Sequence, residues 1–424
     1  MATASHLIEL ANTIQTQVTE FQKLLAASGQ PDPSLDLDAP SPDFAAAGLH
    51  AQDVRSKLLD QIDELHDLLL TPQEMLLGTA PTDFVSRHAL DRFQVYQKVP
   101  VGETRTYTQL AEATGLPLNV IRRLIRHAIT QRIFTEPTPD VVAHTPASKL
   151  LAEDRNVRDY WGILSEIVSP AAAQTANALS KWPQESGSKK RETAGFYLAT
   201  GKTVYQVLED EPETHNRYDS AMSANRNNVL FSVDHIARGF DWQSLGKGTI
   251  VDVAGGIGTV SRSLAKHFPE LNFIVQDQPE VLAQAPPVED ESSKARITFM
   301  EHDMFTPQPI KDADIYFFRR VFMEWDDDKA VQILRNLTPG MTPGKSRVVI
   351  ADFYVPEPGE APLWIERKFR NSDMLTFVLS NGGSRDKEAW IKLFEKAGPG
   401  FVVKNVKPLK NSDMMITEAL WQGE

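Results

Sequence analysis

The chain has 424 residues, 41% of them hydrophobic and 24% charged, with a formal net charge of −13 and no cysteine. That length supports two or three domains with a substantial core, and the acidic balance opposes general affinity for nucleic acid or anionic membranes. Without cysteine, disulfides, thiolate metal sites, iron–sulfur clusters and cysteine nucleophiles are excluded, and no metal site is expected.

The first residues lack a basic region followed by an apolar run, so no signal peptide is expected. No stretch is long and apolar enough to span a bilayer, and a cytoplasmic location follows as the default. Residues 1–80 form a first unit. Leu7, Ile8, Leu10, Ala11, Ile14, Val18, Phe21, Leu24 and Leu25 recur in steps of three and four, which predicts an amphipathic helix over 5–27. A linker rich in Pro, Asp and Ser follows, then a second periodic helix over about 51–71. Helices this early either cover their own domain or pair with a second copy; a homodimer is the expectation.

Residues 81–165 read as a small helical domain. A helix from Thr106 stops near Gly115, and Pro117 opens another. Ile121, Leu124, Ile125 and Ala128 form its apolar stripe, with Arg122, Arg123 and Arg126 largely off it. IFTEPTPDVVAHT then predicts a short hairpin, completing a winged-helix-like shape. Such a shape binds DNA in some proteins and is plain scaffold in others; with this net charge, scaffold is the expectation. Residues 166–245 are a helical connector.

From 246 the pattern changes. TIVDVAG, FIVQD, ITFMEHD, ADIYFFRR and SRVVIADFYV alternate with helical stretches, which predicts a parallel sheet covered on both faces. FVVKNVKPL and MMITEAL lie a few residues apart and predict a terminal antiparallel hairpin. The first strand runs into Ala254-Gly255-Gly256-Ile257-Gly258, then a helix. A dinucleotide fingerprint fails because Ser261 stands where its third glycine belongs, and no Gly-Lys-Ser/Thr phosphate loop is present. Asp277 ends the next strand, where a carboxylate can accept both ribose hydroxyls.

VDVAGGIG, FIVQDQPEV, EHDMF, FFRRVFMEWDDD and the final hairpin resemble, in order and spacing, the class I S-adenosylmethionine (SAM)-dependent O-methyltransferases of plant and fungal secondary metabolism. The segment from YTQLAEATGLP to TPASKLL resembles their fungal branch. The resemblance implies an α/β fold: a Rossmann-like SAM-methyltransferase sheet over 246–424, with a C-terminal antiparallel hairpin, behind a helical, winged-helix-like dimerisation half. It implies SAM as cofactor and a small polyketide or phenolic molecule as substrate. It puts Gly255 and Gly256 at the methionine part, Asp277 at the ribose, Asp303, Met304 and Phe305 around the adenine, and Arg319 by the methionine end. Trp325 is expected to pack nearby. Ala254 departs from the family's usual glycine.

A second departure bears on chemistry. The family removes the substrate proton with a His four residues after the Arg, oriented by a Glu that precedes a later Arg. Here Met323 and Ser384 stand at those places, and no histidine follows His302. A thioether accepts no proton at useful pH. Glu324, one residue on, is a candidate replacement. Otherwise the fold is an inactive SAM- or DNA-binding module, methylates an already acidic hydroxyl, or has changed its chemistry. The last resembles fungal methyltransferase-like pericyclases, which dehydrate pyridone alcohols and close rings. By that resemblance His144 faces substrate and Met323 becomes pocket wall. His215 and Arg217 sit in the connector that roofs the pocket or are merely surface, and Met374 packs on the helix beside it.

Overall fold

In the computed structural model, residues 5–78, 82–185, 187, 190–226, 232–409 and 412–423 are described. Helices α1 (His6–Ala27) and α2 (Leu49–Leu68) form an antiparallel pair. Phe21 and Leu25 of one meet Ala51 and Val54 of the other in a small core of their own. His6–Glu64 and His50–Glu20 contacts at 2.8 and 2.9 Å flank it. Helix α2 also docks on the helix Leu363–Ser380, where Asp60 accepts the Trp364 N–H at 2.9 Å and Asp63 pairs with Arg367 at 2.8 Å. Leu7, Ile8, Val18 and Ile62 remain exposed.

The second unit builds on a three-stranded antiparallel sheet of β1 (Thr104–Thr106), β2 (Thr135–Thr138) and β3 (Val141–Ala143), in the order β1-β3-β2. Thr106 caps the helix Tyr107–Thr114, exchanging hydrogen bonds with Gln109, and Gly115 ends it at φ +72°. Pro117 is the cap of the next helix, Leu118–Ile129, rather than its first residue. Ile121, Ile125 and Ala128 are buried there. Arg122 and Arg126 fold back over the Tyr107 ring and pair with Asp140 and Glu136 at 3.0 and 2.7 Å. Their charge is thus spent inside the unit.

The C-terminal sheet has seven strands: β4 (Thr249–Val253), β5 (Asn272–Asp277), β6 (Ile297–Glu301), β7 (Ile315–Arg319), β8 (Arg347–Phe353), β9 (Phe401–Pro408) and β10 (Met414–Trp421). Their order is β6-β5-β4-β7-β8-β10-β9. β4 to β8 run parallel, while β10 pairs antiparallel with both β8 and β9. Successive side chains point to opposite faces. Tyr316 and Phe318 therefore enter one core with Phe322, Trp390 and Phe394. Ile315 and Phe317 enter the other with Trp242, Phe273 and Ile416. The order reverses between β4 and β7, so the loops leaving those strands diverge and open a crevice at their carboxyl ends. Among the described residues, no helix is long and apolar enough to cross a membrane.

Candidate active site

The loop after β4 is shaped by three left-handed residues: Ala254 at φ +54°, Gly256 at +61° and Gly258 at +79°. Gly255 donates its N–H to the Gln276 carbonyl at 3.0 Å, and a Cβ there would fall 2.7 Å from the Asp252 carboxyl carbon. A Cβ on Gly256 would meet nothing within 4 Å, so the turn leaves an open cradle. Beyond it the helix Thr259–His267 begins.

Asp277 joins this turn directly. Its Oδ2 accepts the Gly256 N–H at 2.7 Å and its Oδ1 the Gln278 N–H at 2.8 Å. Each oxygen keeps a lone pair for a further donor. Asp252 lies beneath, fully buried, and accepts the Ser261 hydroxyl at 2.6 Å. Burial pushes its carboxyl up to about 6 against the pull of Ser261 and Arg319. Burial, then repulsion from Arg320, lowers Arg319 to about 10, so it remains a cation at neutral pH.

Asp252 and Arg319 border a cavity of about 1240 Å³, and Asp277 reaches it only through the Gly256 N–H that it holds. Gly255, Gly256, Arg319, Met323 and Glu324 line it together. Asp303, Met304 and Phe305 form the turn after β6, next to Asp277, whose carbonyl accepts the His302 N–H at 3.1 Å. Met304 and Phe305 pack partly buried against the sheet core. Phe305 meets Trp325 edge to face at 4.8 Å between centroids, the packing role expected for Trp325.

Met323 sits in the 3-10 turn Phe322–Glu324. Asp352 accepts its N–H at 2.9 Å. Arg385 pins the turn from behind, donating to the carbonyls of Phe322 and Trp325 at 2.7 and 2.9 Å and to Asp327 at 2.9 Å. Ser384, beside it, has its N–H tied to Asp373 at 2.6 Å. The turn therefore presents a thioether to the cavity where the family resemblance implies an imidazole.

Several expectations are corrected. His144 does not line the cavity. It is 3% exposed inside the second unit, with Nε2 on the Val99 carbonyl at 2.7 Å and Nδ1 on the Ser148 hydroxyl at 2.9 Å. Both ring nitrogens are engaged in holding β3 to its surroundings, so a substrate-facing role has no geometric support. His215 is exposed on the connector and 3.7 Å from Asp219, the surface alternative left open for it. Arg217 lies on a different cleft, bound to Asp91 and Glu166 at 3.1 and 2.9 Å. Met374 is exposed, while Ser372, Leu375, Thr376 and Leu379 of the same helix face the cavity.

The structure also adds residues. Tyr205 donates its hydroxyl to Glu324 Oε2 at 2.7 Å, and Arg191 stands 3.9 Å from the same oxygen. Tyr218 and His235 line the same cavity. These four lie on the connector, in segments without a motif, and only the docking of that connector brings them to the sheet.

A strand–turn–helix cradle, an acidic second strand end and a crevice at the switch point define the nucleotide-binding half of a SAM-dependent methyltransferase fold. The O-methyltransferase domain family matches residues 179–401, and the chain belongs to it. It is 33% identical to the chlorophenol O-methyltransferase of Trichoderma longibrachiatum, over 98% of this chain and 90% of that one. It is 35% identical to the grayanic acid biosynthesis cluster O-methyltransferase of Cladonia grayi, over 99% and 89%. Among solved structures it is similar to LepI in complex with SAM (TM-score 0.67, 20% identity, 97% of this chain and 100% of that one). It is also similar to OxaC in complex with sinefungin and meleagrin (TM-score 0.65, 23% identity, 96% and 99%). Its cofactor is SAM. The open cradle at Gly256, the lone pairs of Asp277 and the Arg319 cation fit that molecule's methionine and ribose ends.

Proposed function

We propose that this enzyme binds SAM and catalyses dehydration and pericyclic closure, of hetero-Diels–Alder or Alder-ene type, on a polyketide-derived pyridone or related alcohol of fungal secondary metabolism. The carrying observation is Met323: the cavity's turn holds a thioether, and Ser384 stands where a carboxylate would orient a base. Methylating an ordinary, weakly acidic hydroxyl requires a base at the imidazole's place, and neither Met323 nor Ser384 is one; the carboxylate on this turn, Glu324, is a weaker base suited to a more acidic enol. Leu164, Val168, Val204, Leu375 and Leu379 give the cavity apolar walls. Such walls favour a folded, near-attack conformer of a flexible substrate.

When bound, SAM would supply either a sulfonium charge that stabilises developing negative charge on a substrate carbonyl or a transferable methyl group. Gly255, Gly256 and Asp277 would hold it, and Arg319 would balance its carboxylate. Methyl transfer to an already acidic hydroxyl is the second reading. The whole-length likeness to a protein named for chlorophenol favours it, because an ionised phenol needs no base.

The deciding experiment uses SAM with a labelled methyl group and a panel of pyridone alcohols and phenols, read by mass spectrometry. Loss of water or ring closure with SAM intact is the expected result. Labelled product with S-adenosylhomocysteine would establish the second reading and end the first. The exposed apolar side chains of α1 and α2 support a homodimer; sedimentation at micromolar concentration should give twice the 47.3 kDa mass of one protomer.

A further inference from the structure

The turn that displays Met323 also holds a carboxylate with partners drawn from across the cavity. Tyr205 gives its hydroxyl to Glu324 Oε2 at 2.7 Å. The Arg191 guanidinium lies 4.1 Å over the Tyr205 ring and 3.9 Å from that same Oε2. Both contacts fall on one oxygen, and neither engages Oε1. Burial, then the charge of Glu324, holds the Tyr205 and Tyr218 phenols above their ordinary range. Tyr205 therefore stays a donor and fixes Oε2 as its acceptor. Glu324 keeps 39% of its side-chain surface open, whereas His235 is buried. A base must reach the proton it removes, and Glu324 is the more accessible of the two.

We propose that Glu324 is the proton-handling group of this site, with Oε1 toward the reacting hydroxyl and Tyr205 and Arg191 as positioning residues. This rests on the dehydration reading and deepens it. The enol O–H proton of a 3-(1-hydroxyalkyl)-4-hydroxy-2-pyridone passes to Oε1. The bond from the hydroxyalkyl carbon to its oxygen breaks, with the electron pair leaving on oxygen. That oxygen takes the proton back from Glu324, so water departs, a quinone methide remains and the carboxylate is regenerated. No oxidant or second substrate is needed.

The test uses the full-length protein with SAM and that pyridone alcohol. E324Q is expected to lose about 100-fold in kcat, with KM within about threefold and SAM affinity unchanged, the last showing that the variant is folded. Y205F should lose about tenfold in kcat, and E324D should recover part of the E324Q loss. Wild-type kcat in E324Q, or a loss in H235Q alone, overturns the proposal. A second readout needs no turnover: the absorbance of bound 4-nitrophenol reports its ionisation. The Glu324 charge should hold that phenol about one pH unit higher in the wild type than in E324Q; equal values overturn the proposal. If the nitrophenol shift appears while the pyridone alcohol is left intact, dehydration falls and the role of Glu324 stands.

Discussion

Ala254 occupies left-handed backbone, at φ +54°, where a Cβ costs about 1–2 kcal/mol. Glycine would relieve that and give back about 0.4–1 kcal/mol through the greater freedom of its unfolded state. A254G should therefore raise unfolding stability by about 0.5–1 kcal/mol in denaturant titration, and an unchanged midpoint would contradict the strain. His144 offers the opposite case. Burial lowers its pKa below the ordinary range. The folded protein thus resists a proton that the unfolded one accepts, so its contribution is present above about pH 6.5 and lost as pH falls below that. H144A should cost about 2–3 kcal/mol at pH 7.5, with a shallower loss of stability than the wild type between pH 7 and 5. SAM affinity should not move. Met323 supplies the third. M323H alone should leave methylation of 4-methylphenol, which is un-ionised at neutral pH, within about threefold of the wild type, whereas M323H/S384E should gain at least about tenfold. Strong methylation by the single variant would show that an orienting carboxylate is dispensable.

Elements differ in how plainly the amino-acid pattern declares them. β4, β5, β7 and β8 were legible because both their faces are buried and their β-branched and aromatic runs are nearly continuous. The terminal hairpin was legible from its short connection, although its insertion beside β8 was not, since pairing partners lie far apart in sequence. The cradle from Ala254 to Gly258 announced itself through glycine chemistry. The turn Phe322–Glu324 was legible as a missing histidine but not as an assembled device. Its brace is Arg385, whose guanidinium reaches two carbonyls and Asp327 from 58 or more residues away. R385A removes the guanidinium from both carbonyls and from Asp327, leaving the Phe322 carbonyl only the longer Trp325 N–H at 3.3 Å, and should cost about 2–4 kcal/mol. R385K should restore little, because an ammonium lacks the planar fork. Denaturant midpoints of both variants, compared with D327N, check this.

At the scale of the molecule, the division into helical pair, small unit, connector and sheet followed from shifts in periodicity. What those shifts did not reveal is which surface of each unit meets the others. His144 was misplaced for that reason: its neighbours Val99 and Ser148 belong to its own unit, and a histidine in a short segment gives no sign of facing inward. Saturating SAM, at 100 times its Kd, should add about 2.7 kcal/mol to the folded state. D277N should abolish most of that increment, and an equal thermal shift in both proteins would remove Asp277 from the cofactor's hold.

The connector carries Arg191, Tyr205 and Tyr218, while the sheet carries Arg319 and Glu324. The connector stretch around Arg191 and Tyr205 rests on a small apolar cluster, Ala171, Phe196, Val204 and Val207 against Val378. The sheet rests on two larger cores. The part of the roof that carries Arg191 and Tyr205 thus stands on a smaller foundation than the floor, while the connector's far end is anchored in a sheet core through Ile236 and Trp242. Gentle heating has a way to silence the enzyme without emptying it: the roof lifts, turnover stops, and the floor still titrates with cofactor. Such a molecule would lose its chemistry at one temperature and its ligand at a higher one, and cooling from between the two would restore activity without refolding the sheet.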